Sequence, residues 1–182
     1  MSRFERGLFY AVAALVSLSR VELASAAPAA KGAEEAAAFT VRLADEQAAR
    51  IVRNAVAGAH ERLGRERCRG IFEAFRDPSG RTLNDNLAAL GIDGQGFLGH
   101  VFFYDGSALP VCQRNTAKDV YAVTERGGRA VRICPGQFTA LQRKSPVMGE
   151  VVVIHEMLHA LGLGEAPPSS HDITWRVMES CG

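Results

Sequence analysis

From Val151 to Leu163 the chain is apolar except at three positions, His155, Glu156 and His159. Val151, Val152, Ile154, Leu158 and Leu161 supply apolar residues around all sides of a helix in this segment, so the segment reads as a buried helix. The rest of the fold has to be built around it. Histidines four residues apart share one face of an α-helix, close enough for both imidazoles to reach one metal ion. Glu156 sits beside the first of them, where it can carry a proton rather than ligate. Burying two imidazoles and a carboxylate without partners costs on the order of several kcal/mol. The segment is therefore either a metal helix or a core helix whose histidines are satisfied by other groups.

The N-terminus reads as an export leader. Arg3 and Arg6 form a basic start, Gly7 to Leu18 is an apolar core, and Ala24-Ser25-Ala26 is a small-residue cleavage signal. The apolar core falls short of the roughly 20 residues that a membrane span requires. Residues 1–26 are thus expected to be a signal peptide, 27–40 a mobile Ala-rich N-terminus, and 41–182 one domain of a secreted or periplasmic protein. The whole chain carries a formal net charge of +1, and removal of the leader brings it to neutral with no long basic run. This pattern argues against nucleic acid and against an anionic membrane surface as partners. Four cysteines, Cys68, Cys112, Cys134 and Cys181, follow the leader. An even count in an exported chain favours two disulfides. Of three possible connectivities, Cys112–Cys134 would bracket a hairpin and Cys68–Cys181 would tie the C-terminus to the body.

Periodicity predicts a helix from about Val41 to Arg65, capped by Asp45, with Ala48, Ile51, Val52, Ala55, Val56, Ala59 and Leu63 on one face and His60 toward solvent. After the turn at Asp77–Gly80, Thr82 to Leu90 predicts a short helix stopped by Gly91. Gly94 to Gly99 reads as a connecting loop. His100 to Tyr104 is a strand candidate, and Val120 to Thr124 with Arg129 to Cys134 a hairpin around Gly127-Gly128. Pro135 begins a short helix to about Leu141. The motif helix follows, from about Val147 to Leu163, and a C-terminal helix starts near Ser169 and Asp172. The expected class is α+β: a single domain with a small mixed sheet, a histidine-bearing helix and a C-terminal helix.

A catalytic zinc usually takes three protein ligands and keeps one position for water. Downstream of His159, Gly162 can end the helix with a left-handed residue and turn the chain back, and Glu165 follows. The segment from His155 to Glu165 reads HExxHxxGxxE. It resembles the metzincin signature HExxHxxGxxH, in which the last position completes the metal site. A glutamate stands here where metzincins usually place histidine, and carboxylate is a competent zinc ligand. Three other third ligands remain open. Glu179 lies at a spacing from His159 similar to that of the thermolysin-like gluzincins. Asp172 resembles the downstream aspartate of aspzincins, although that family's Gly-Thr-x-x-Asp motif is missing. His171 stands beside it.

The resemblance implies a zincin-like domain with Zn2+ held by His155, His159 and Glu165, and Glu156 as general base in peptide-bond hydrolysis. The oxyanion donor would come from Tyr104, Tyr121 or His171, with His171 preferred, and an extended substrate would add to a strand edge near His100 to Tyr104 or Val120 to Cys134. The expected partner is a peptide or protein substrate met by a monomer, with no nucleic acid and no membrane after leader cleavage. Two other functions fit the sequence: a non-catalytic, disulfide-stapled exported module with a structural or vestigial zinc site, and a zinc amidase acting on cell-wall peptide.

Overall fold

The computed structural model describes residues 39–113 and 120–182. The expected leader, 1–26, and residues 27–38 of the expected mobile stretch lie outside them. The described residues begin with a strand, β1 (Thr40–Arg42), where a helix was expected from Val41. Three residues are too few to show an alternating pattern, and β1 exists because it pairs with a strand far along the chain. Helix α1 (Glu46–Leu63) then starts as expected, the Asp45 carboxylate accepting from the Ala48 N–H at 2.6 Å. Its buried face is the expected one, save that Ile51 is only half-buried and Ala49 and Arg62 join it. His60 is also half-buried, with its ring edge-on to Phe39 and its carbonyl accepting from Gln95.

The segment around Cys68 folds into two single turns, α2 (Glu66–Arg69) and α3 (Ile71–Ala74). Helix α4 (Leu83–Leu90) has a full capping box between Thr82 and Asp85 and ends at Gly91, φ +68°. Gly94 to Gly99 is not a loop. It forms α5 (Gly94–Leu98), capped by Asp93, and Gly94 is needed because a Cβ there would lie 2.6 Å from the Phe72 ring. Strand β2 (Phe102–Asp105) leads to a single turn, α6 (Pro110–Gln113). The expected hairpin is β3 (Ala122–Thr124) with β4 (Ala130–Ile133), turning through Gly127 at φ +75°. Three helices close the chain: α7 (Pro135–Lys144), α8 (Pro146–Ala160) and α9 (Ser170–Cys181).

The class is α+β, and the strands form one small mixed sheet in the order β1-β2-β4-β3. Strands β1, β2 and β4 are parallel, and β3 runs antiparallel on the edge beside β4. One face of the sheet buries Phe103, Val131, Ile133 and Ala122 in the core. The other shows Phe102 stacked on Tyr104, with the Arg132 guanidinium over the Tyr104 ring. Helix α8 lies between β3, α1, α7 and α9. Its residues from Val151 to Ala160 are all buried, which is the sequence expectation realised. Both favoured disulfides are present, Cys68–Cys181 and Cys112–Cys134.

Helix α8 is fixed to α1 by an ion pair between Arg62 and Glu150, and Arg62 also donates to the Cys181 carbonyl at 2.7 Å. A Cβ on Gly58 would collide with the Glu150 carboxylate, so the glycine is what lets α1 and α8 pass at this point. Glu150→Ala would leave a buried guanidinium without its counter-ion, at a cost of about 2–4 kcal/mol. The variant is expected to unfold at a clearly lower urea concentration, with Arg62→Met in the same chain recovering part of the loss. An unchanged midpoint would show that the pair contributes nothing.

Candidate metal centre

Helix α8 carries three polar side chains into a cleft with a cavity of about 460 Å³. His155, Glu156 and His159 are each less than a tenth exposed. The helix ends at Ala160, one turn earlier than the apolar run suggests, and the manner of its ending builds the site. The Gly162 N–H donates to the His159 carbonyl (2.9 Å) and the Leu163 N–H to the Leu158 carbonyl (3.0 Å), with Gly162 at φ +117°. These are the two bonds of a Schellman ending, and the positive φ is why glycine stands there. The chain then doubles back and Glu165 comes over the histidine pair.

His155 Nε2 and His159 Nε2 are 3.0 Å apart, His159 Nε2 and Glu165 Oε1 3.2 Å, and His155 Nε2 and Glu165 Oε1 3.6 Å. Donors bound to a tetrahedral ion at about 2.0–2.1 Å stand roughly 3.3 Å apart. The triangle therefore has the size of one face of such a site. Among the described residues, His155, His159 and Glu165 are the group of three that can hold a metal ion together. The two histidines are buried, and Glu165 is about half exposed.

The far ring nitrogens set the tautomers. His159 Nδ1 lies 2.9 Å from the Leu163 carbonyl, which can only accept, so the proton sits on Nδ1 and Nε2 presents its lone pair. His155 Nδ1 lies 3.0 Å from the Thr174 hydroxyl on α9. Burial pushes the His155 pKa down to about 4, helped by the neighbouring His159 and opposed by the Glu165 carboxylate. A neutral His155 is the form a metal binds. Burial likewise pushes the Glu156 pKa up, and the Thr124 hydroxyl opposes this. That hydroxyl influences Glu156 without meeting hydrogen-bond geometry. Glu156 Oε2 and Thr124 Oγ1 are both buried with no hydrogen-bond partner.

The other third-ligand candidates are not brought to this group. The Asp172 carboxylate caps α9 by accepting from the Ser169 hydroxyl and N–H, and it is held below the usual range by that hydroxyl. His171 and Glu179 are exposed, and the Glu179 carbonyl accepts from Arg67. Of the three oxyanion-donor candidates, Tyr121 lines the cleft, whereas Tyr104 lies on the outer face of the sheet and His171 is not among the lining residues. Sequence reasoning missed Thr174, Thr124, Ser170 and Arg126, which also line it. Thr174 follows the apolar Ile173 on α9 and carries no motif. The Leu163 contact uses a carbonyl, which no side-chain pattern can announce. Comparison with protein-family models, with curated proteins and with solved structures returned no match, so the site is read from its own chemistry.

Glu165→Ala is expected to weaken metal binding by at least about a hundredfold, and Thr174→Val by about tenfold, in a competition titration with Zn2+. Glu179→Ala should bind within twofold of the parent. Loss of metal from the Glu179 variant and not from the Glu165 variant would contradict the assignment.

Proposed function

We propose that the protein is an exported zinc-dependent peptidase. The observation that carries this reading is Glu156: a buried carboxylate that lines the cleft, beside the ligand triangle but outside it, with one oxygen bonded to no other group. A purely structural zinc site has no use for such a group, whereas hydrolysis of an amide needs a base there. Two imidazoles and a carboxylate are a donor set that zinc takes in catalytic sites with one position left for water. When bound, zinc supplies a water acidified toward neutrality and a Lewis acid for the scissile carbonyl.

The remaining steps belong to the chain. The Glu156 carboxylate accepts the proton of the attacking water and returns it to the leaving amine nitrogen, so it ends as it began. Its burial keeps it basic enough to take that proton. Tyr121, on the cleft wall, is the donor best placed for the oxyanion among those considered. The substrate lies as an added strand along β3. Strands β2 and β4 are interior to the sheet, and β3 is the edge that lines the cleft. The two disulfides, and no helix among the described residues long and apolar enough to cross a membrane, are compatible with an extracellular protein. Secretion or release to a periplasm, as a monomer, completes the proposal.

Incubation of the zinc-loaded protein with a mixed peptide library should give cleavage that stops on chelation. Glu156→Gln should retain zinc at one equivalent and lose turnover by about 10²–10⁴-fold. A library left intact by the zinc-loaded parent, or cut equally well by the variant, would sink the peptidase reading.

A further inference from the structure

Beyond Glu165 the cleft continues into a second hollow of about 510 Å³, bordered by Arg76, Asp77, Pro78, Arg126 and Pro167. Arg126, Gly164 and Glu165 line both, so the two spaces share a wall at the third metal ligand. Gly164 lies between Arg126 and Pro78 on this shared wall, and a Cβ there would be in ordinary contact with the Arg126 guanidinium (3.4 Å) and Pro78 (3.9 Å). Arg126 lies two residues beyond the hairpin strand β3 and is the one basic side chain other than the histidines among the cleft's lining residues.

The carboxylates of the hollow are already engaged. Asp77 accepts from the Ser79 hydroxyl, from Arg81 and from Asn86. Glu165 faces the histidine pair. Asp85, within electrostatic reach of Arg76, has its carboxylate bonded to the Thr82 N–H. Neither Arg76 nor Arg126 forms an ion pair among the described residues, and Arg76 is bonded only to the Gly80 carbonyl. Two arginines without ion pairs thus line a space that adjoins the metal cleft and whose carboxylates are already engaged. Guanidinium forks match the geometry of a carboxylate.

We infer that Arg76 and Arg126 form an anion subsite of the cleft, and that the preferred substrate is an extended peptide presenting a carboxylate just beyond the scissile bond on the Glu165 side. The inference rests on the peptidase reading for the word substrate, but the subsite itself is a matter of binding. The carboxylate can come from an acidic side chain or from a chain end. An extended strand along β3 brings either one past Glu165 toward Arg126, and the shared recognition is of the anion.

The test uses the full zinc-loaded chain carrying Glu156→Gln, so that bound peptide is not consumed. Fluorescein-labelled peptides with Glu, Gln or Lys at successive positions, each as free acid and as amide, are titrated by anisotropy at 0.1 M salt. The acidic peptide of one position should bind about tenfold tighter than its Gln counterpart, two exposed charge pairs being worth about that much. In Arg76→Gln/Arg126→Gln the ratio should fall to about one. A preference that follows the free acid rather than the Glu position assigns the subsite to chain ends. Equal binding of the acidic and neutral peptides, no binding of either, or a ratio that survives the double replacement overturns the inference. A carboxylate preference in binding, with no cleavage by the parent protein, would remove the peptidase reading and leave the subsite standing.

Discussion

Leu163 uses both of its backbone groups at the site, and the candidate metal centre depends on the pair of bonds they make. Its N–H closes α8 on the Leu158 carbonyl, and its own carbonyl fixes the proton of His159 on Nδ1. One residue thereby decides where the helix stops, which way the chain turns and which nitrogen of His159 is free to ligate. Gly162 makes this possible because the preceding turn needs a positive φ. With the turn made, Glu165 has little choice of position. Two imidazole nitrogens 3.0 Å apart beneath a carboxylate form a group that could hold a metal ion.

The surroundings hold that turn from outside. Asn86 donates to the Leu161 carbonyl and to Asp77, with both distances 3.1 Å, so the end of α8 is braced against the segment before α4. Asp77 is kept ionised by the Ser79 hydroxyl, with Asn86 and Arg81 adding to it, and is a fixed anchor for the brace. From the other side the Gly127 N–H, at the tip of the hairpin, donates to the His159 carbonyl at 2.9 Å. The same hairpin supplies the cleft edge through β3. The geometry of the His155–His159–Glu165 group and the β3 edge of the cleft are therefore set by one connected group of hydrogen bonds, which is the rigidity a preorganised site requires.

Much of this was legible in the sequence. The apolar run around His155, Glu156 and His159 fixed a buried helix, and Gly162 with its three-residue spacing to Glu165 announced the reversal. Asp45, Thr82 and Ser169 gave the helix starts through local capping chemistry, and both disulfides follow from the hairpin and the tail. What escaped was non-local or without side-chain signature. Strand β1 is three residues long and exists only through pairing with β2. Helix α5 hides in a glycine-rich stretch, because Gly94 answers to the Phe72 ring packed against it rather than to backbone freedom. Thr174 reaches His155 from another helix, and Arg126 enters the cleft only because the hairpin folds over the end of α8. Each of these depends on tertiary contact rather than on spacing.

The proposed function requires His155, His159 and Glu165 to converge on one ion. X-ray absorption at the zinc K-edge of the stoichiometrically loaded protein measures this most directly. Two imidazole nitrogens and one or two oxygens at about 2.0–2.2 Å are the predicted first shell, with the imidazole scattering halved in a His159→Ala chain. A shell with sulfur, a single imidazole in the parent, or no stoichiometric zinc would contradict it.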